Sequence, residues 1–224
     1  MSVQGNDLMA QWWVQNCAGR LPFGYREVEY IKSSGEQYID TMLVHDGTCK
    51  IEIDMKFDSF AGDRNYIGQT FSSGSSNPRF AFGISINVWY CGLGDKNITT
   101  TARTNFNRHI FKIDAPNKKF WVDGTSYNVA WTSFSFPEVM FGGLALFGRK
   151  MLDTGVLNPY ANMTLYSSKH YKNGVLVRNY VPCVRIRDSK PGLYDLCGSI
   201  CPLTNTPFYI NTESGTDFTW GELS

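Results

Sequence analysis

Strict alternation of apolar and charged residues constrains this chain more than any other feature. In Lys50-Ile-Glu-Ile-Asp-Met-Lys-Phe-Asp58, Ile51, Ile53, Met55 and Phe57 fall on one side, and Lys50, Glu52, Asp54 and Lys56 on the other. Side chains of an extended backbone point to opposite faces in turn, so the segment predicts a strand with one face in a core and one in water. Arg79-Phe-Ala-Phe-Gly-Ile-Ser-Ile86 repeats the pattern, and Val88-Trp-Tyr-Cys-Gly-Leu93 follows it. Residues 108–114 and 119–123 flank Ala115-Pro-Asn-Lys118, a predicted hairpin turn. Asp123-Gly124 leads into 125–129, and Asn173-Gly174 joins 163–171 to 175–181. Such pairs supply the positive φ angles of two-residue hairpin turns. Loops 61–65 and 71–78 are rich in Ser and Gly and are expected at the surface. No sustained helical stripe occurs after residue 25. Ten or more short strands between turns predict an all-β chain, an antiparallel sandwich or barrel.

The first 20 residues follow a different period. Asn6 or Asp7 caps a helix, and Gly19 followed by Pro22 stops it. Between them Leu8, Met9, Trp12, Trp13 and Cys17 recur at helical spacing. Two adjacent tryptophans are a large apolar load for so short a helix. It either folds back onto its own domain or anchors the chain to a partner or symmetry mate. The organisation read from the sequence is therefore a helical attachment segment over 1–20 and one domain over 21–224.

Lys and Arg number 21 against 20 Asp and Glu, a net charge of +1, so nothing drives the chain toward nucleic acid or an anionic membrane. The longest apolar run, residues 139–147, contains two glycines and is far shorter than the roughly 18 residues of a membrane span. The start has neither a basic nor an apolar region of a secretory signal, so a role outside the cell implies release by lysis or by virion assembly. Cys17, Cys49, Cys91, Cys183, Cys197 and Cys201 are too scattered for a disulfide scaffold. Cys197 and Cys201 have the spacing of half a zinc site, but His45, His109 and His170 stand apart in sequence and supply no second half. Free, mostly buried thiols are the expectation.

Leu21-Pro-Phe-Gly-Tyr-Arg-Glu-Val-Glu-Tyr-Ile-Lys-Ser-Ser-Gly-Glu-Gln-Tyr-Ile-Asp-Thr41 resembles the opening of a family of laminin-G-like, concanavalin A-like jelly rolls. These occur in bacteriophage and prophage structural proteins and in bacterial surface proteins. The resemblance extends to Lys169-His-Tyr-Lys-Asn-Gly-Val-Leu-Val-Arg-Asn-Tyr-Val-Pro-Cys183, to Pro191-Gly-Leu-Tyr-Asp-Leu196 and to Gly215-Thr-Asp-Phe218. It implies two facing antiparallel sheets, in agreement with the alternation, and is specific for the fold rather than for a ligand. The segment from Cys197 to Asn205 departs from the family's short turn.

Some members of this broad fold hydrolyse glycosides through carboxylates alternating on one strand. Only Glu52-Ile-Asp54 is comparable, and Phe57 stands where a third carboxylate would complete the pattern. No Gly-x-Ser-x-Gly elbow is present, and nothing in the sequence unites a His with a Cys or Ser. The chain is expected not to be an enzyme. As a glycan binder it offers aromatic faces beside oriented polar groups: Asn87, Trp89 and Tyr90; Trp121 with Asp123; and Tyr127 with Trp131. Each of these aromatics has an alternative place in the core of a sandwich. No cofactor is expected. The resemblance admits calcium at a loop rim, where Asp63 and Asp95 lie, although no run of spaced acidic ligands occurs.

The expectation is a bacteriophage virion surface protein, a capsid decoration, head-fibre or tail-fibre adhesin. It would be a homo-oligomer, a trimer by preference, held by Leu8, Met9, Trp12 and Trp13 to other virion proteins. Its displayed domain would meet host-surface glycans or neighbouring subunits. The alternatives are a bacterial cell-surface glycan-binding module and a ligand-free structural cement. Deleting residues 1–20 should leave a soluble, folded domain that elutes as a monomer with light-scattering detection. A truncated chain that kept its oligomeric state would refute the anchor.

Overall fold

Alternation in the sequence becomes the pleat of the sheets. In Lys50 to Lys56 every second side chain is half-exposed, while Cys49, Ile51, Ile53, Met55 and Phe57 are buried. The computed structural model describes residues 20–59, 64–71, 78–134, 142–155, 157–213 and 215–223. The helix expected over 1–20, with Leu8, Met9, Trp12 and Trp13, lies outside them except for Arg20, as do Cys17 and Asp63.

The strands in chain order begin with β1 (Tyr25–Glu27), β2 (Tyr30–Lys32), β3 (Ile39–Asp40), β4 (Cys49–Phe57), β5 (Arg64–Thr70) and β6 (Arg79–Ser85). Next come β7 (Val88–Gly94), β8 (Lys96–Arg103), β9 (His109–Asp114), β10 (Lys119–Val122), β11 (Thr125–Asn128) and β12 (Ala145–Leu146). The rest are β13 (Gly148–Met151), β14 (Leu157–Tyr160), β15 (Met163–Lys172), β16 (Val175–Arg185), β17 (Lys190–Asp195), β18 (Phe208–Tyr209) and β19 (Thr219–Gly221). No helix occurs among the described residues.

An eleven-stranded sheet runs β11-β10-β9-β4-β15-β16-β17-β18, with β1 on β16, β2 on β15 and β19 on β2. An eight-stranded sheet runs β14-β13-β5-β6-β7-β8, with β3 and β12 beside it. Pairing is antiparallel throughout except between β5 and β13. The inner faces meet through aromatic rings. Phe82 and Trp89 of the smaller sheet lie 5.3 and 5.0 Å, centroid to centroid, from Phe111 of the larger. The sandwich expected from the period-two pattern is thus formed.

The hairpin turns follow their sequence signals. Asp123-Gly124 and Asn173-Gly174 have positive φ at both central residues and close β10–β11 and β15–β16 with two-residue loops. Ile86-Asn87 closes β6–β7 in the same conformation, at φ 50° and 62°, without a glycine.

The segments that carry the family resemblance at the two ends of the domain meet in space. β19 pairs with β2, placing Trp220 opposite Ile31. Buried Gln37 accepts from the Ser34 N–H and Ser33 hydroxyl and donates to the Thr216 carbonyl. Phe218 packs on Phe147 at 4.6 Å. The Tyr38 N–H donates to Asn211, and the Asp40 N–H to the Thr212 hydroxyl. Asp40 is itself buried, bonded to Lys150 and accepting from the Met42 and Gly143 N–H groups. These contacts close the two ends of the domain on each other.

β18 lies so close to β17 that a Cβ on Gly192 would sit 2.3 Å from the Tyr209 carbonyl oxygen. Backbone cannot swing aside as a side chain can. Gly192→Ala should therefore destabilise the domain by about 1–3 kcal/mol, read as a lower urea midpoint at unchanged slope.

Candidate functional site

Because β9, β4 and β15 are neighbours, the turns at one end of these strands stand side by side. Asp46 organises the loop before β4, accepting from the Thr48 N–H at 2.8 Å and its hydroxyl at 2.6 Å. In the β9–β10 turn both oxygens of Asp114 accept from Asn117, one from its N–H and one from its side-chain amide. The Asn173 N–H of the β15–β16 turn donates to the Thr48 carbonyl, tying the third turn to the first. Between them lies an open cleft of about 540 Å³, lined chiefly by Thr48, Lys50, Asp114, Asn117, Tyr171 and Asn173.

Register builds its floor. Asp114, Lys50 and Tyr171 form one cross-strand row, with the Lys50 ammonium 4.5 Å from the Tyr171 ring centroid. The next row carries Trp121, Lys112, Glu52 and Lys169. Glu52 lies 2.7 Å from Lys50 and 3.7 Å from Lys112. Partial burial would raise the Glu52 carboxyl, but the Lys50 hydrogen bond and the Lys50, Lys112 and Lys169 charges outweigh it, so the group lies below its ordinary range. Asp54 takes both branches of Arg108 at 2.7 Å, and Asp58 sits between Lys32 and Lys56. Glu52 and Asp54 are thus both ion-paired.

The aromatics singled out from the sequence do not converge. Adjacent strand residues face opposite ways, so Trp89 and Tyr90 cannot share a site. Trp89 is 3% exposed and packs in the core against His109 and Phe111, which leaves its indole no surface for a sugar. Tyr90 points the other way but is 6% exposed, donating to Asn97 and accepting from Arg79. Asn87 is exposed at its turn. Asp123 fastens its hairpin, bonding the Ile110 N–H and lying 2.5 Å from His109 Nδ1. Tyr127 leans on Phe120, and Trp131 donates from its indole to the Ala115 carbonyl. Trp121 lies on the outer face of the larger sheet, half-buried with Lys112 over its ring, and Trp131 packs beside Gly47, which lines the cleft.

Asp95 gives its carboxylate to the segment at Thr132 and Ser133. The Thr132 hydroxyl and the Thr132 and Ser133 N–H groups hold it well below the usual carboxylate range. No group of three or more His, Cys, Asp or Glu suited to a metal occurs among the described residues. Cys49, Cys91, Cys183 and Cys201 are buried free thiols, and Cys197 is an exposed one.

Sequence reasoning missed two features. Tyr171 and Asn173 come to one cleft with Asp114 and Asn117 only through strand order, and the sole local signal was the set of turns. The second feature is a buried chain of hydrogen bonds. His45 Nδ1 donates to the Leu43 carbonyl, so its Nε2 accepts from His170 Nδ1 at 2.8 Å, and His170 Nε2 accepts from the Ser168 hydroxyl at 2.7 Å. A serine bonded to a histidine is the arrangement of an activated nucleophile, yet Ser168, His170 and His45 are all fully buried. Gln69 clamps the His45 backbone from the opposite sheet.

Comparison with known proteins finds no family model, no curated protein and no solved structure that matches this chain.

Burial pushes His45 down to about 3 and His170 well below its ordinary value, with the charge of His45 adding to the second shift. Unfolding frees both to titrate near 6.5. Folding stability is therefore full above that pH and falls as pH drops from about 6.5 toward 3, by about 1.4 kcal/mol per pH unit for each histidine. Urea unfolding between pH 7 and pH 5, where carboxylates scarcely titrate, reads this slope. His170→Gln should roughly halve it, since the His45 contribution remains.

Proposed function

We propose that this chain is a bacteriophage virion surface protein whose sandwich is a concanavalin A-like jelly roll, displayed on the particle to bind host-surface glycans. The observation that carries the reading is the rim cleft, an open surface with an aromatic, Tyr171, and two side-chain amides, Asn117 and Asn173, on a sheet whose neighbouring carboxylates are ion-paired. Recognition needs such fixed polar groups beside an apolar surface. Hydrolysis needs a carboxyl kept protonated next to an ionised one. The sealing of Ser168 and His170 in the core supports the same reading as a non-enzyme.

Residues 1–20 serve as the attachment and trimerisation segment, with Trp12 and Trp13 as anchors. Many copies fixed on one particle turn weak single-site contacts into avidity, because the second contact is made at a high effective concentration. No cofactor enters this mechanism. The resemblance of residues 21–41, 169–183, 191–196 and 215–218 to phage structural jelly rolls supports the virion setting.

Antibody raised against residues 21–224 and viewed by electron microscopy on purified phage particles tests the reading. Regular labelling of the capsid or tail surface is the expected result. Label confined to the bacterial envelope would overturn the virion assignment.

A further inference from the structure

Resting on that display reading, we infer that the rim cleft is the ligand site itself and that it takes a short, uncharged oligosaccharide laid along Tyr171. Its volume of about 540 Å³ falls within the range of small-ligand clefts, about 300–1,000 Å³. Gly174 stands at its edge with no heavy atom within 4 Å of where a Cβ would lie, so a sugar ring can approach the backbone closely.

Charge decides the class of sugar. Each charged group that lines the cleft already has a partner, as do Lys172 and Lys118 beside it. Lys50 is bound to Glu52, Lys172 lies 3.2 Å from Asp46, Lys118 donates to the Trp131 carbonyl, and both Asp114 oxygens are taken by Asn117. A uronic or sialic carboxylate would have to compete with Glu52 for Lys50 and would find no other cation among the residues that line the cleft. Uncharged hydroxyls meet no such penalty. The Asn173 amide, the Asn117 side-chain oxygen and the Tyr171 hydroxyl have no hydrogen-bond partner among the described residues and are left to receive them. Lys50 keeps ammonium hydrogens beyond the one given to Glu52.

The backbone argues for a saccharide over a peptide. An extended peptide binds by adding a strand to a free sheet edge. Here the rim consists of hairpin turns whose backbone is already paired, Lys118 N–H to the Ala115 carbonyl and Asn173 N–H to the Thr48 carbonyl. What remains is side-chain amides, hydroxyls and an aromatic ring. Those are the groups that recognise sugar hydroxyls and the apolar faces between them.

The test is a glycan array carrying neutral and acidic oligosaccharides, followed by titration calorimetry of the best hits with the full-length chain. Three variants serve: Tyr171→Ala, Tyr171→Phe and Asn173→Gly. The last removes the amide but keeps a turn that glycine accommodates at φ 51°. Thermal melts confirm that each variant is folded. Neutral glycans should bind, equally at low and high salt. Tyr171→Ala should weaken them by about tenfold or more, Tyr171→Phe by much less, and Asn173→Gly by about three- to tenfold. Selective, salt-sensitive capture of acidic glycans would overturn the inference, as would neutral binding that survives both Tyr171→Ala and Asn173→Gly. A silent array beside positive labelling of phage particles would overturn the cleft assignment and leave the display reading standing. Absence of the chain from particles would remove the display reading itself.

Discussion

Everything in this domain depends on the aromatic layer between the two sheets. Phe57, Phe82, Trp89, Phe111 and Phe120 are all but fully buried; Phe57 and Phe111 meet Phe82 and Trp89 across the gap at centroid separations of 5.0 to 6.4 Å, and Phe120 stacks beside Phe111 within its own sheet. Each such side chain removes a large apolar area from water, and ring edges meeting ring faces add to that burial. No described helix covers either sheet, and each buries its inner face against the other. The candidate site inherits its rigidity from this layer. Lys50, Asp114 and Tyr171 stand on the reverse side of the same strands that place Ile51, Ile113 and His170 in the interior.

The interior is not uniformly apolar. Toward the rim that carries the cleft, Ser168, His170, Tyr180 and His45 replace aliphatic side chains, with Tyr209 packed against Tyr180 at 5.1 Å. Buried polar groups are tolerated where each donor finds an acceptor, and the hydrogen bonds from Ser168 to Leu43 satisfy that condition with both histidines neutral. The same requirement makes this end of the core the part sensitive to acid. It lies directly beneath the strands that form the cleft.

Much of the fold was legible because it is written locally. The alternation in 50–58 and 79–86 and the Asp-Gly and Asn-Gly pairs fix strands and turns within a few residues of themselves. β15 was harder. A bulge at Tyr166 shifts the alternation, so Met163 and Leu165 face inward before it, and Ser168 and His170 after it. Without the bulge, Lys169 would point into the core. Its cause is pairing with β4, more than a hundred residues earlier, and no window of sequence contains that. The candidate aromatics suffered from the same distance. Nothing near Trp89 in the chain reveals that Phe111 and His109 will close over it.

By itself, then, the sequence determined the class of structure, its turns and the absence of a strong net charge, since each follows from neighbours along the chain or from simple composition. Tertiary structure alone decided which aromatics are hidden, that Ser168, His170 and His45 join in a sealed chain, and that three turns enclose one cleft. Those outcomes depend on the order in which strands lie across a sheet. Hydrogen bonds between strands impose that order at sequence separations where local pattern carries no signal.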